Sequence, residues 1–190
     1  VVVTVFSNCT NDDDFEIHPY RDVIFSEDFS KNAVDNQLLI TPDWLNIAQI
    51  GSVRWKTQIY QGNAYAEFTS YQSQDVTNIG WLISPEIDMD QHENEILQFQ
   101  TAQSFVSSAA NSLQVMVCND FDGVNVENAT WILLNPILPT TTSAYYEFIK
   151  SGEVDLSAFT GKIRLGFKVK GGKDTAIDGT YQVDNIRIIY

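Results

Sequence analysis

The sequence predicts an all-β sandwich of two antiparallel sheets. Beyond residue 20, no window keeps apolar residues at the i, i+3, i+4, i+7 spacing of an amphipathic helix. Short segments rich in Val, Ile, Phe, Tyr and Trp alternate with polar residues instead. Gly51, Gly62, Gly123, Gly152, Gly161 and the pair Gly171-Gly172 punctuate these segments as turns. About ten strands without intervening helices exclude a parallel α/β fold and leave a sandwich.

In chain order, the first expected strand covers residues 23–29, where Phe25, Glu27 and Phe29 fall on one face. The next expected strands are 52–57 around Trp55, 64–69 with its small and aromatic residues alternating, and the apolar run 80–83. Segment 95–102 interleaves Leu97 and Phe99 with glutamines, and 112–117 interleaves Leu113, Val115 and Val117 with Ser112 and Gln114. Shorter strands are expected at 130–134 and 145–150. The two longest alternations, 162–170 and 180–189, close the chain. No internal repeat and no linker follows residue 22, so 23–190 is read as one domain.

The chain has 190 residues, 44% of them hydrophobic and only 19% charged, which is enough apolar material for a sizeable core. Its net charge is −14, from 25 acids against 11 bases. Such a surface repels phosphate backbones and anionic membranes, so no nucleic-acid partner is expected and a divalent cation suits it better. Cys9 and Cys118 lie far apart and form neither a disulfide framework nor a zinc cluster.

Residues 1–22 read differently. The apolar run Val1-Val2-Val3-Thr4-Val5-Phe6 is too short to span a bilayer. It leads through Ser7-Asn8 to Cys9, then to Thr10-Asn11-Asp12-Asp13-Asp14. This segment resembles the lipoproteins of Bacteroidota, in which a lipidated cysteine is followed by an acidic surface-export signal. The resemblance implies a signal-peptide remnant, lipidation at Cys9 and an acidic linker, with contact to the outer membrane only through the anchor. Asn8 departs from the commoner small residue at that position. An apolar strand followed by an acidic turn is the alternative.

Strand phase points to two acids. Glu27 shares a face with Phe25 and Phe29, and in the last strand Asp184 alternates with Ile186 and Ile188. Both carboxylates are therefore expected to face the core, where charge is costly without compensation. A cation between the strands would supply it; so would pairing of Glu27 with Arg187 or Arg164, with Asp184 capping a turn.

Three segments carry a wider resemblance: Phe25-Ser26-Glu27-Asp28-Phe29, Trp81-Leu82-Ile83-Ser84-Pro85-Glu86-Ile87-Asp88 and Tyr181-Gln182-Val183-Asp184-Asn185-Ile186. With the strands at 112–117 and 161–167, they resemble the choice-of-anchor J and cleaved-adhesin domains of bacterial surface proteins, over about residues 23–190. That resemblance implies a jelly-roll β-sandwich and a role in adhesion or glycan binding. It also implies a structural calcium where the first and last strands meet, held by Glu27 and Asp184, with Asp28 and Asn185 matching the same motifs. Calcium takes six to eight oxygen ligands, which this set could begin to supply. Asp120-Phe121-Asp122-Gly123 lacks the ligand series of an EF-hand and reads as an acidic turn.

Catalytic signatures are thin. His18 and His92 are the only histidines, no pair of them has metal spacing, and no Gly-x-Ser-x-Gly elbow is present. Cys118 follows a core strand and reads as a small buried hydrophobe. For a sugar ligand, Trp44 in the loop-like Thr41-Pro42-Asp43-Trp44, with Tyr60 and Tyr71 near turns, are the candidate platforms; ordinary packing is the competing role for each. Asp174-Thr175-Ala176 resembles the O-glycosylation triplet of exported Bacteroidota proteins; a simple solvated loop is the alternative. The expected function is a non-catalytic surface binding module for a glycan or a surface protein. A glycoside hydrolase accessory or weak hydrolase domain and a structural spacer are the alternatives.

Overall fold

The structure, a computed structural model, describes residues 21–190. Among these residues there are fourteen strands and no helix. The first seven are β1 (Val23–Glu27), β2 (Gln37–Leu38), β3 (Leu45–Ile50), β4 (Lys56–Tyr60), β5 (Asn63–Thr69), β6 (Asn78–Ile83) and β7 (Ile87–Asp88). The others are β8 (Ile96–Ser104), β9 (Ser112–Cys118), β10 (Ile132–Leu133), β11 (Ile149–Lys150), β12 (Val154–Asp155), β13 (Lys162–Gly171) and β14 (Thr180–Ile189).

They build a jelly-roll β-sandwich of two antiparallel sheets. One has eight strands, ordered β11-β8-β14-β5-β4-β2, with β1 also on β14 and β12 also on β8. The other has six, ordered β10-β9-β13-β6-β3, with β7 on β13. Alternation decides what lies between them. From β9 and β13, Leu113, Val115, Val117, Ile163, Leu165, Phe167 and Val169 enter the core. From the facing sheet come Leu97 and Phe99 of β8, Phe68 of β5, and Tyr181, Val183, Ile186 and Ile188 of β14. Phe99 meets Phe167 edge-on at 5.5 Å, tying the centres of the two sheets together.

The longest alternations became the longest strands, and the differences lie elsewhere. Leu45–Ile50, expected to begin as a loop, is a strand pairing with β6. The strand expected at 52–57 lies instead at Lys56–Tyr60, because Ser52 is taken by the carboxylate of Asp75, which accepts from its N–H and its hydroxyl. The segments expected at 130–134 and 145–150 keep only a two-residue strand each.

One correction bears on the site. Alternation placed Asp184 on the core side with Ile186 and Ile188. Against β8, however, Asp184 pairs with Gln100 and Arg187 with Gln98, so β14 holds one extra residue between them. This bulge, with Asn185 at φ 51°, resets the phase. Val183 and Ile186 both enter the core, while Thr180, Gln182 and Asp184 turn outward to bond Thr69, Glu67 and Asn63. Asp184 is still buried, at 1% exposure, but on the outer face.

Candidate ligand groove and carboxylate junction

Two places on the eight-stranded sheet gather candidate site side chains. The first is the junction of β1 and β14, where Glu27 pairs with Ile186 across the ladder. The bulge brings Asn185 beside it, and an open hollow of ≈790 Å³ is lined by Glu27, Asp28, Asn185, Lys31 and Arg187 among others. Each acid already has donors. Glu27 accepts from the Phe29 N–H at 2.7 Å and from the Trp44 indole N–H at 3.2 Å. Asp28 accepts from the N–H and hydroxyl of Ser30, which hold its carboxyl below the usual range. Asp184 accepts from the Asn63 side chain at 2.8 Å, and from the backbone and side chain of Asn185 at 2.7 and 3.1 Å.

Burial pushes the Asp184 carboxyl up, the bonds from Asn63 and Asn185 pull it back, and the charges of Asp28 and Glu27 push it further up. Neither arginine supplies the compensation that charge pairing would offer. Arg187 donates to Gln98, and Arg164 donates to the Ser84 carbonyl and pairs with Glu86. The donors suit calcium in kind, being hard oxygens with surplus negative charge. They are not gathered as a cage: among the described residues, no group of three or more acidic, His or Cys side chains sits close enough to hold a metal ion. To bind one, Glu27, Asp28 and Asp184 would have to turn toward a common point.

The second place is a groove of ≈690 Å³ on the outer face, at the end of β14 where Thr180 begins the strand. Thr69 and Glu67 of β5 and Thr180 form its floor, and Tyr71, Phe105, Tyr145 and Tyr146 form its walls. Phe105 packs against Tyr145 at 4.7 Å and Tyr146 at 6.4 Å. The wall is held by a bridge from Gln103 to Tyr145 and by the Tyr146 N–H donating to the Gln103 carbonyl at 2.9 Å. Farther along the face, Tyr65 meets Phe148 edge-on at 5.4 Å. Its phenol is pushed up to about 12 by burial and by the nearby charges of Glu67, Asp35, Tyr146 and Tyr60.

The expected platforms divide accordingly. Trp44 is not one: it is 8% exposed, packs its ring against Phe25 and Phe29, and spends its indole N–H on Glu27. Tyr71 lines the groove, and Tyr60 stands exposed at the end of β4 outside its lining. Phe105, Tyr145 and Tyr146 were not singled out in the sequence; the adjacent Tyr145-Tyr146 pair beside a turn-rich segment was the available signal. Cys9 and His18 lie outside the described residues. His92 stacks on Tyr190 at 3.9 Å, and burial pushes the Cys118 thiol up to about 11, away from nucleophilic use. Asp120 and Asp122 accept from backbone N–H groups of Thr130, Val124 and Asn125, as an acidic turn does.

The sequence matches no described protein family and no curated protein sequence. Solved structures do match. The K1 cleaved adhesin domain of Lys-gingipain from Porphyromonas gingivalis W83 is 18% identical, with 86% of this chain and 96% of that one covered and a TM-score of 0.52. The K3 domain is 18% identical over 89% and 100%, with a TM-score of 0.54. The K2 domain is 12% identical over 87% and 98%, with a TM-score of 0.56. At these identities the likeness is one of architecture, and the chain has the fold of a cleaved adhesin domain.

Proposed function

We propose that this chain is a non-catalytic binding module displayed on a bacterial cell surface, taking a glycan or a surface protein as its ligand. The observation that carries this reading is the outer groove. Four exposed aromatic side chains stand over a polar strand floor, where a compact fold left to itself would cover them. The adhesin domains that share the fold are named for attachment, which agrees with it. We place the module on a lipoprotein of the choice-of-anchor J and cleaved-adhesin type, anchored through Cys9 at the outer membrane. Surface attachment is tested with the Cys9→Ala variant of the full precursor, which should leave the membrane fraction; retention there removes the anchor. Binding to cells or immobilised glycans is tested with the soluble domain, and absence of both removes the module reading.

The same reading includes a calcium ion at the β1–β14 junction. Glu27 and Asp184 would hold it, with Asp28 and Asn185 contributing, and it would relieve the repulsion that these acids exert on Asp184. A cation bound only by the folded state stabilises it by about 2.7 kcal/mol at a hundredfold excess over Kd. In a domain of this size that raises Tm by roughly 5–10 °C. Chelator should lower the Tm of the wild type, and Asp184→Asn should lose most of the response. An unchanged Tm with chelator and with millimolar calcium strikes the ion from the account.

A further inference from the structure

We infer that the groove over Glu67, Thr69 and Thr180 is a site for a neutral oligosaccharide, stacked on Phe105 and Tyr146 and hydrogen-bonded from below. The inference rests on the binding-module reading and names the ligand class and the site.

Three independent features converge there. The first is backbone strain. Among the described residues, most non-glycine residues held at positive φ are Asn or Asp, which tolerate it, or Gln; three are aromatic. Of those, Phe29 is a core residue, whereas Phe105 (φ 58°) and Tyr146 (φ 62°) are more than half exposed and line the groove. A left-handed conformation is costly for an L-residue that carries a side chain. Neither ring recovers that cost by full burial, and both line the groove. Strain retained at an exposed aromatic is the mark of a contact made with something else.

The second feature is unmet bonding capacity. Ser104 lies opposite Thr180 across the ladder and so shares its face. The Ser104 hydroxyl and the Gln182 side-chain carbonyl are buried on that face with no hydrogen-bond partner, although Gln182 donates its N–H to Glu67 at 2.8 Å. Buried polar atoms without partners are uncommon enough to need a reason. Neither atom is open to the groove as it stands, so an enclosed water or a turn of the side chain must link it to a polyol; the hydroxyls of Thr69, Ser107, Thr175 and Thr180 line the groove and meet a polyol directly.

The third is charge. Glu67 and Asp178 line the groove and no Lys or Arg does, so an anionic sugar is disfavoured. Aromatic rings beside acids could also cage an ammonium group. A cage, however, closes its rings around a point, and this groove is an open trough that the hydroxyls of Thr69, Ser107, Thr175 and Thr180 line. Its ≈690 Å³ lies within the ~300–1,000 Å³ of small-ligand pockets. Pyranose faces on the rings and hydroxyls on the floor fill such a trough.

The test uses the soluble domain and isothermal titration with separate xylo-, manno- and cello-hexaose, oligogalacturonate and choline. At least one neutral hexaose should bind, with oligogalacturonate and choline binding at least tenfold more weakly. Phe105→Ala and Tyr146→Ala should each weaken the hexaose at least tenfold, and His92→Ala, outside the groove, should not. Tyr146→Gly should do the same with Tm unchanged or raised, which separates loss of the ring from loss of the fold. No binding by any neutral hexaose overturns the inference, as does preference for choline or oligogalacturonate. A hexaose that binds equally well to the aromatic variants moves the site elsewhere and leaves the module reading standing. If cell and glycan attachment also fail, the module reading falls with it.

Discussion

Both sheets carry aromatic rings on their outer faces, and the two faces use them in opposite ways. On the six-stranded sheet Trp81 is covered by Trp131 at 4.7 Å, with Phe121 at 5.8 Å from Trp131 and Val126 packed in the same cluster. The segment between β9 and β10 supplies these covers. Gly166 makes the close approach possible, since a Cβ there would stand 2.7 Å from the Trp131 ring. On the eight-stranded sheet Tyr71, Phe105, Tyr145 and Tyr146 keep 66, 57, 52 and 56% of their surface in water. The comparison teaches that a sheet face is closed when a loop of the chain can lay apolar rings flat on an apolar floor. Over Glu67, Thr69 and Thr180 the floor is polar, and the rings stand at its edge instead.

The largest test strikes the closed face. Trp131→Ala should cost roughly 3 kcal/mol, about 6–12 °C in Tm for a domain of this size. A loss under 2 °C in thermal unfolding would mean that the outer cluster is decoration and not a second core. At the open face the sign should reverse. Tyr146→Gly relieves the left-handed strain and should gain up to about 1 kcal/mol, the strain offset by glycine's backbone entropy. A destabilisation as large as that of Trp131→Ala would show the two faces to be alike.

The smallest effect depends on pH. Burial pushes the Glu67 carboxyl above the usual range, and bonds from Gln182 and Gln58 and the charge of Lys56 oppose it. A carboxyl raised in the folded state binds its proton more tightly there than in the unfolded chain. Its contribution to stability therefore falls as pH rises from the unfolded value, about 4.3, through the folded one. Glu67→Gln, which keeps an acceptor for Gln182, should raise Tm at pH 7, and the gain should shrink toward zero at pH 4. A gain that grows on acidification contradicts the assignment.

What could be read from the sequence followed from what alternation encodes. The segment 180–189 was legible because all ten residues of β14 lie inside a sheet, with β8 on one side and β5 and then β1 on the other. Leu45–Ile50 was hidden by Pro42-Asp43, whose turn signal outweighs the short alternation after it. Its Asn46 is a polar residue with a structural use, bonding the backbone of Leu39 and Trp55. The bulge at Asn185 was invisible because an extra residue changes phase without changing composition. It left Glu27 and Asp184 neighbours while turning Asp184 to the other face. The groove was half legible: Tyr71 was singled out, but Phe105 and Tyr146 depend on backbone angles that no residue type announces.

The pairing of β1 with β14 has a mechanical consequence. Val23 lies opposite Ile189, and the Tyr190 N–H donates to the Asp22 carbonyl at 3.2 Å, so both ends of the domain meet at one corner. A pull between those two ends would open the ladder rung by rung, at low force. The groove lies at the other end of β14, about 30 Å away at ~3.3 Å per residue. With the proposed tether before residue 22 and the proposed ligand in the groove, tension between them would run along β1 and β14 and load all their rungs in shear at once. The same two strands would then resist a ligand's drag far better than a pull between residues 22 and 190.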